Sequence, residues 1–205
     1  EWMAQFDHEK VENTGIIIKQ LLEGLQCIHE SGYSHLDIKP ENILMESKKL
    51  DNNFIKIIDF GFVKKINDEK KGFFGSPSYV SPDFWDDNIK VFTDKFDIWA
   101  VGVITIMCLL QENLSGKIIK GDESNKIVVL PSKDQYDKIS KMTDGNKIIS
   151  FLNTIINYNL DTGDIQKRNG TDVERKSSRD LLKSSWMKSI KIPKRETENI
   201  DYIKD

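Results

Sequence analysis

The sequence predicts a mainly α-helical domain, a helical bundle that carries one small β-hairpin. Apolar side chains recur at three- and four-residue spacing across residues 8–31, which is typical of an amphipathic helix. Residues 94–110 are apolar nearly all round, which indicates a helix at the centre of a domain. Two short apolar runs, 43–45 and 54–58, flank the polar stretch 46–53 and indicate a hairpin-like pair of strands. The 205 residues are enough for one domain with a sizeable core.

The first helix is expected to lie between two residues that suit its ends. Asp7 can accept hydrogen bonds from the N–H groups of the first turn, and Gly32 can take the left-handed conformation that ends a helix. Gly15 lies in the interior and weakens the helix by about 1 kcal/mol relative to alanine. The apolar face comprises Val11, Ile18, Leu21, Leu22, Leu25 and Ile28.

The pattern is weaker in the other parts of the chain, and no internal repeat or second domain is visible. The expected elements are a loop over 62–80, loops and one short helix over 111–145, a helix over 148–158, an irregular insert over 159–175 and a last helix over 178–187. The tail after Pro193 is charged and is expected to fray.

Composition argues against some classes of function. The formal net charge is −3, so no basic excess calls for nucleic acid or an anionic membrane. No apolar run reaches the length of a membrane span. Cys27 and Cys108 lie in apolar helical patterns and indicate buried thiols, which fits a reducing, intracellular compartment, the cytoplasm with the nucleus left open. The first residue is Glu1, which suggests that the chain enters a longer protein part of the way along.

Two short polar segments carry the candidate chemistry: SHLDIKPENILM over residues 34–45 and IIDFG over 57–61. A lone Asp in a loop is more often a turn former, and an Asp-Phe-Gly tripeptide alone is a weak signal. Together they supply two carboxylates, an ammonium and an amide at close spacing. Phosphoryl transfer needs this set, because it requires a proton acceptor, metal ligands and positive charge near the transferred group.

These segments resemble the catalytic loop (H-R-D-L-x-x-x-N) and the metal loop (D-F-G) of eukaryotic serine/threonine protein kinases. The resemblance implies a protein kinase catalytic domain over residues 1–190, its C-terminal lobe only, with a charged tail over 191–205. It implies transfer of the γ-phosphate of ATP, with Mg²⁺, to serine or threonine hydroxyls of protein substrates. The chain has no glycine-rich loop, strand lysine or helix glutamate, so the N-terminal lobe is expected upstream.

The resemblance assigns roles to five residues around the nucleotide. Asp37 would be the catalytic base that accepts the hydroxyl proton. Lys39 would stabilise charge on the transferring phosphate and indicates an alcohol substrate. Asn42 and Asp59 would hold the metal, because Mg²⁺ takes few protein oxygens. Leu44 would bind the cofactor together with Lys39, Asn42 and Asp59.

Four further residues are expected to support the two loops. His35 could be a general base, but the resemblance makes it a structural residue that packs against Phe60. Gly61 completes the metal loop. Asp97 would accept hydrogen bonds from the backbone of the catalytic loop and hold it rigid, since a buried Asp without hydrogen bonds is costly. The alternative is that Asp97 is an ordinary helix N-cap.

Residues 75–83, GSPSYVSPD, resemble the kinase G-T-P-x-Y-x-A-P-E segment where the peptide substrate docks. Ser76 takes the place of threonine and would hydrogen-bond Asp37 and Lys39. Asp83 takes the place of glutamate and is expected to pair with Arg175. An aspartate is one methylene shorter, so the pair needs a looser contact or a small backbone shift.

Leu36 stands where the family usually has the arginine that binds a phosphate on the activation loop. Residues 62–74 also contain no Ser, Thr or Tyr. We therefore predict that activation does not require phosphorylation of this loop. Glu41 is a candidate reader of a substrate arginine, although an exposed Glu is more often simply solvated.

The H-L-D loop and the strand before D-F-G are similar to the calmodulin-dependent group, especially the myosin light chain and death-associated kinases. Two alternatives remain beside an active kinase: a pseudokinase or scaffold, and a truncated interaction module. The intact Asp37, Lys39, Asn42 and Asp59 argue against a pseudokinase.

Overall fold

A computed structural model of the chain describes residues 11–45, 54–72, 75–85, 89–114, 118–120, 127–156, 167–168, 171–172 and 174–192. The helices in these ranges are α1 (Val11–Glu30), α2 (Lys95–Leu110), α3 (Lys133–Ser140), α4 (Gly145–Leu152), α5 (Ser178–Leu182) and α6 (Ser185–Ser189). The strands are β1 (Tyr33–Ser34), β2 (Ile43–Met45), β3 (Ile55–Ile57), β4 (Lys64–Lys65), β5 (Ile118–Lys120), β6 (Ile127–Val129), β7 (Lys167–Arg168) and β8 (Thr171–Asp172). The described part is mainly helical, as predicted.

The core lies between α1 and α2, with the smaller helices α4, α5 and α6 packed around them. Helix α2 is buried from Phe96 to Leu109, as expected for a helix that is apolar all round. Helix α1 buries one face, and its apolar side chains at helical spacing meet α2 and α5. Each large aliphatic side chain buried here contributes about 1.5–3 kcal/mol. Among the described residues, no helix combines the length and apolar character needed to span a membrane.

Glycines in α1 allow two elements to approach the helix closely. A Cβ atom at Gly15 would collide with the side chain of Ile190, just after α6. A Cβ atom at Gly24 would lie 2.9 Å from Cδ1 of Ile57 in β3. The local cost of a glycine in a helix is therefore offset by packing that a larger residue would obstruct.

The predicted hairpin is present and positions the two candidate loops. Strands β2 and β3 pair antiparallel with Ile43 opposite Ile57, and the N–H of Ile58 donates to the carbonyl of Asn42 at 2.9 Å. A second ladder, β1 with β4, pairs Ser34 with Lys64 and was not predicted. It lies in part of the stretch that was expected to be only a loop. The catalytic loop connects β1 to β2, and the metal loop connects β3 to β4. Because β1 pairs with β4 and β2 pairs with β3, both loops lie between the same two ladders.

The last helix was predicted as one element over residues 178–187, and this was wrong. The structure has two short helices, α5 and α6, with a break at Lys183 and Ser184. The hydroxyl of Ser184 accepts a hydrogen bond from the N–H of Met187 at 3.3 Å, so this residue caps a new helix instead of continuing the old one.

The helix predicted over 148–158 is shifted: α4 begins at Gly145 and ends at Leu152. Beyond the end of this helix, two backbone carbonyl groups have partners near Arg175 and do not continue a helical ladder. The N–H of Lys176 donates to the carbonyl of Thr154 at 3.1 Å, and Nε of Arg175 donates to the carbonyl of Ile155 at 2.7 Å. Residues 157–158 lie outside the described residues.

The structure differs from the sequence prediction at three other places. Between 111 and 145 the expected short helix is α3, whose N-cap Ser132 forms a capping box with Gln135, but the paired strands β5 and β6 were missed. The stretch expected to be an irregular insert contains β7 paired with β8. Cys27 is exposed, because it falls on the solvent side of α1, whereas Cys108 is buried as predicted. The proposed cap Asp7 and the tail after Pro193 lie outside the described residues.

Candidate active site

Asp37 is the centre of the site, and its carboxylate is buried with 2% of the residue exposed. Three side chains meet it. Nδ2 of Asn42 donates to Oδ2 at 2.9 Å and also to the backbone carbonyl of Asp37 at 2.8 Å. Nζ of Lys39 lies 2.8 Å from Oδ2, and the hydroxyl of Ser76 donates to Oδ1 at 3.0 Å. The structure thus gathers four of the predicted residues at one carboxylate with a fixed orientation.

Ser76 connects residues 75–83, called the docking segment, to residues 34–45, called the catalytic loop. Its hydroxyl also accepts a hydrogen bond from Nζ of Lys39 at 2.9 Å, so Ser76 contacts both residues as expected. The preceding Gly75 has φ of 90°, a conformation that favours glycine. A Cβ atom there would lie 2.5 Å from the carbonyl oxygen of Leu36. Glycine at this position lets the two backbones touch, a role that the sequence analysis did not assign.

His35 is fully buried and uses both ring nitrogens inside the loop. The N–H of Asp37 donates to Nδ1 at 3.3 Å, so hydrogen bonding assigns the proton to Nε2, which donates to the carbonyl of Ile58 at 3.0 Å. The imidazole packs edge-on against the ring of Phe60, with 5.1 Å between the ring centroids. His35 therefore joins the catalytic loop to the metal loop, and neither nitrogen is free to act as a base.

The two candidate metal ligands lie at adjoining ends of the β2–β3 hairpin. Asn42 is buried, and because its Nδ2 donates to Asp37, its amide oxygen is left for another partner. Asp59 is exposed and has a left-handed backbone, with φ of 60°, stabilised by a hydrogen bond from the N–H of Gly61 to Oδ1 at 3.2 Å. An amide oxygen and a carboxylate suit Mg²⁺, which fills its other positions with phosphate and water. No cluster of three His, Cys, Asp or Glu ligands occurs in the described part, so a dedicated protein cage is absent there.

Three apolar side chains of the hairpin and the metal loop are exposed. Leu44 is 50% exposed, Phe60 53% and Phe62 41%. Leu44 is the residue expected to bind the nucleotide.

Asp97 holds the start of the catalytic loop by hydrogen bonds. The carboxylate, with 1% of the residue exposed, accepts hydrogen bonds from the backbone N–H of His35 at 2.8 Å and of Leu36 at 2.7 Å, and from the hydroxyl of Ser34 at 2.8 Å. The N-cap alternative is wrong, because the N-cap of α2 is Asp94. Burial alone would raise the pKa of Asp97, but the hydrogen bond and charge of His29 and the two backbone N–H groups hold this pKa below its usual value.

His29 is a functional residue that the sequence analysis missed. It lies in the last turn of α1, and its Nε2 is 2.9 Å from Oδ2 of Asp97. Its Nδ1 is 3.4 Å from the hydroxyl of Ser178 in α5. The signal was a histidine at the end of the first helix, shortly before the catalytic loop. His29 therefore joins α1 and α5 to the carboxylate of Asp97 in α2.

Arg175 is buried at the other end of the docking segment. Its Nη1 donates to the hydroxyl of Ser81 at 3.3 Å and its guanidinium lies 5.2 Å from the ring centroid of Trp99. Asp83 belongs to the 3-10 turn Pro82–Trp85, but its side chain lies outside what the structure describes, so the pair with Arg175 stays a prediction.

Glu41 is exposed. Burial, and to a smaller extent the charge of Glu41, raises the pKa of Tyr79 to about 12.

Leu36 is buried in a second apolar cluster, separate from the main core. Its members are Leu36, Val80, Phe84, Phe92 and Phe96. Leu36 has φ of 67°, a conformation that is unfavourable for a leucine. Its N–H donates to Asp97, which holds the backbone there. The sequence identified what Leu36 could not do, which is bind a phosphate, but not this apolar role.

Comparison with known proteins agrees with this geometry. The protein kinase domain family matches residues 4–187. Death-associated protein kinase 2 of Mus musculus is 36% identical over 111 residues, which are 53% of this chain and 30% of that protein. Calcium-dependent protein kinase 4 of Plasmodium falciparum is 32% identical over 186 residues, 85% of this chain and 30% of that protein.

Myosin light chain kinase 2 of Bos taurus is 31% identical over 159 residues, 76% of this chain and 25% of that protein. The chain therefore spans less than a third of the length of these relatives. They include both of the kinase types that the catalytic and metal loops resemble. With the family match over most of its length, the chain belongs to the protein kinase domain family.

Proposed function

We propose that this chain supplies the catalytic and substrate-binding lobe of a serine/threonine protein kinase, which transfers the γ-phosphate of ATP to hydroxyls of protein substrates. The observation that carries the proposal is the network on Asp37, in which Lys39, Asn42 and Ser76 all contact one buried carboxylate. An ordinary turn-forming Asp is exposed and has no reason to gather an ammonium, an amide and a hydroxyl.

Asp37 serves as the proton acceptor in this proposal. Its carboxylate accepts the proton of the substrate hydroxyl as the alcohol oxygen attacks the γ-phosphorus, while the bond from that phosphorus to the β,γ-bridging oxygen breaks and ADP leaves. Asn42 and Lys39 hold the carboxylate in orientation. Lys39, already at the carboxylate, places positive charge where the phosphoryl group passes. Ser76 belongs to the docking segment and contacts both residues, so a peptide bound along 75–83 would present its hydroxyl at Asp37.

Asn42 and Asp59 are the residues that would hold Mg²⁺. The ion when bound supplies charge neutralisation of the nucleotide phosphates. Leu44 would contact the nucleotide with its exposed side chain. The exposed apolar surface of Leu44, Phe60 and Phe62 supports the further proposal that an upstream N-terminal lobe covers this side and completes the nucleotide cleft. Intracellular location stays a prediction.

Replacement of Asp37 by Asn tests the mechanism. In the full-length protein, Asp37→Asn keeps the shape of the side chain but removes the proton acceptor, so kcat for phosphorylation of serine and threonine peptides should fall by roughly 10²–10⁴. The measurement is transfer of labelled phosphate from ATP, beside thermal melting to check folding. Asp134→Asn is the matched control, because Asp134 is exposed and, among the described residues, forms an ion pair with surface Lys138.

The outcomes separate the alternatives. Unchanged transfer by Asp37→Asn would overturn the assigned mechanism. A wild-type protein that binds ATP and Mg²⁺ but transfers no phosphate to any serine or threonine peptide would favour the scaffold alternative. Equal loss in Asp134→Asn would show that the effect is not specific to the site.

A further inference from the structure

The segment between the metal loop and the docking segment is fastened by backbone hydrogen bonds. The N–H of Asn67 donates to the carbonyl of Phe92 at 3.0 Å, and the N–H of Phe92 donates to the carbonyl of Asp68 at 3.0 Å. The N–H of Lys70 donates to the carbonyl of Lys90 at 2.8 Å. Lys64 and Lys65 pair with β1, and Glu69 forms a bridge with Val91. The two ends of residues 64–70 are therefore attached to two different segments of the chain.

Lys70 extends this attachment with its side chain. Its Nζ donates to the backbone carbonyl of Phe84 at 2.7 Å and lies 5.4 Å from the centroid of the Phe84 ring. Phe84 directly follows the docking segment (residues 75–83) and belongs to the 3-10 turn Pro82–Trp85, which begins within that segment. A half-buried ammonium that meets a carbonyl oxygen and an aromatic face together makes a directional, charge-assisted contact.

Phe84 in turn contacts the catalytic loop through apolar packing. Its side chain is buried in the cluster that contains Leu36, and its ring packs edge-on against Phe96 with 5.2 Å between the centroids. Leu36 precedes the catalytic Asp37. A continuous series of contacts therefore joins Lys70 to Phe84, Phe84 to the Leu36 cluster, and that cluster to the carboxylate.

We propose that Lys70 is a positioning residue, which fastens the docking segment to the catalytic loop where other kinases use a phosphorylated side chain and an arginine. The proposal rests on the proposed function and names how that site is held in order. A phosphate orders an activation loop by adding negative charge that arginine reads. Here the segment itself carries the cation, the acceptor is a backbone carbonyl, and Leu36 supplies apolar packing in place of an arginine.

This attachment needs no covalent modification of the segment. Residues 62–74 contain no hydroxyl to modify. The carbonyl acceptor is part of the backbone, so substitutions at position 84 do not remove it. Lys70 therefore holds the docking segment without any upstream kinase or phosphatase.

Hydrogen exchange of the full-length protein tests the proposal without any need for catalysis. Lys70→Met keeps most of the apolar stem but removes the donor and the charge. The amides of Lys70 and Phe92 should exchange faster by roughly tenfold, because the local opening is no longer opposed by the side chain. The matched control is Lys71→Met, since Lys71 is 76% exposed at its side chain and pairs on the surface with Glu69.

The conservative variant separates charge from shape. Lys70→Arg keeps a cation that donates hydrogen bonds and stacks on aromatic rings, so it should retain most of the protection. Wild-type exchange in Lys70→Met, or equal loss in Lys70→Arg, would overturn the proposal. So would equal acceleration in α1 and α2, because this would reflect a general loss of stability.

Kinetics of the full-length protein provide the second readout. Lys70→Met should raise KM for a peptide substrate by roughly five- to tenfold while KM for ATP is unchanged, since only the docking segment is loosened. A rise confined to KM for ATP would count against the assignment. If the wild type transfers no phosphate at all, the proposed function fails, whereas the exchange result still decides whether Lys70 fastens this segment.

Discussion

The catalytic-loop half of the site (Asp37, Lys39, Asn42 and Ser76) and its metal-loop half (Asp59, Phe60 and Gly61, with Leu44) differ in how they are held. The first is buried, and each side chain has several partners inside the chain. The second is exposed, with Asp59 stabilised by one backbone hydrogen bond. Contacts among described residues of this chain hold the catalytic-loop half, whereas the metal-loop half is exposed, and we propose that groups from outside the chain complete it.

The largest expected effect on stability comes from Asp97, which supports the buried half. Asp97→Ala leaves the N–H groups of His35 and Leu36 and the side chain of His29 without their acceptor. We expect a loss of about 3–5 kcal/mol in the free energy of unfolding, measured by urea titration. Asp94→Asn is the control. Among the described residues Asp94 forms an ion pair with neighbouring Lys95 near the surface, so this substitution should change the free energy of unfolding little.

The acid dependence of unfolding follows from the same contacts. Since the pKa of Asp97 is lower in the folded state than in the unfolded chain, its contribution is present above the unfolded pKa of about 3.9. It is lost as the pH falls through the lower folded pKa. Urea titrations from pH 6 to pH 3 should show this decline in the wild type and a shallower one in Asp97→Ala. An identical slope in both would contradict the account.

Asp59→Asn should have the opposite signature, and this is the sharpest way to test the comparison. Asp59 is exposed, so the free energy of unfolding should change by less than about 0.5 kcal/mol. Transfer of phosphate by the full-length protein should nevertheless fall roughly 100-fold, because the proposed metal loses its carboxylate. Melting curves and rates at a series of Mg²⁺ concentrations check both parts. A stability loss as large as that of Asp97→Ala would show that the two halves are not held differently.

Gly75 permits a smaller test of the contact between the docking segment and the catalytic loop. Gly75→Ala adds a Cβ atom 2.5 Å from the carbonyl oxygen of Leu36 and strains a backbone with φ of 90°. We expect a loss of about 1–3 kcal/mol in the free energy of unfolding. Gly32→Ala is a matched control, since φ there is 86° with no atom within 4 Å of the added carbon. The difference between the two variants measures the contact itself, and equal losses would leave only backbone strain.

These contrasts also explain what the sequence could predict. The short polar motifs located Asp37, Lys39, Asn42 and Asp59, because the chemistry demands particular side chains at close spacing along the chain. The long apolar patterns located α1 and α2 for a similar reason, since burial repeats with the helical period.

Contacts between distant segments could not be read in this way. His29 meets Asp97 only because α1 and α2 pack together. Lys70 meets Phe84 only because the chain that follows the docking segment folds back onto residues 67–70. The break between α5 and α6 depended on whether Ser184 would continue a helix or cap one, which its local sequence does not decide. The elements that followed residue 110 were the least predictable, since their stability comes from tertiary packing more than from periodicity.

The smallest expected effect is no effect, and it concerns phosphorylation. Treatment of the full-length protein with a phosphatase should change its activity by less than about twofold, because residues 62–74 offer no phosphate acceptor and Leu36 offers no phosphate-binding charge. The measurement is the rate of peptide phosphorylation before and after treatment, with a phosphorylated control kinase in the same tube. Leu36→Arg extends the test, because it places a charge in the cluster with Phe84 and Phe96. With no phosphate for the arginine to bind, this variant should lose stability and gain no activity, so a gain after incubation with ATP would show that another residue carries the phosphate.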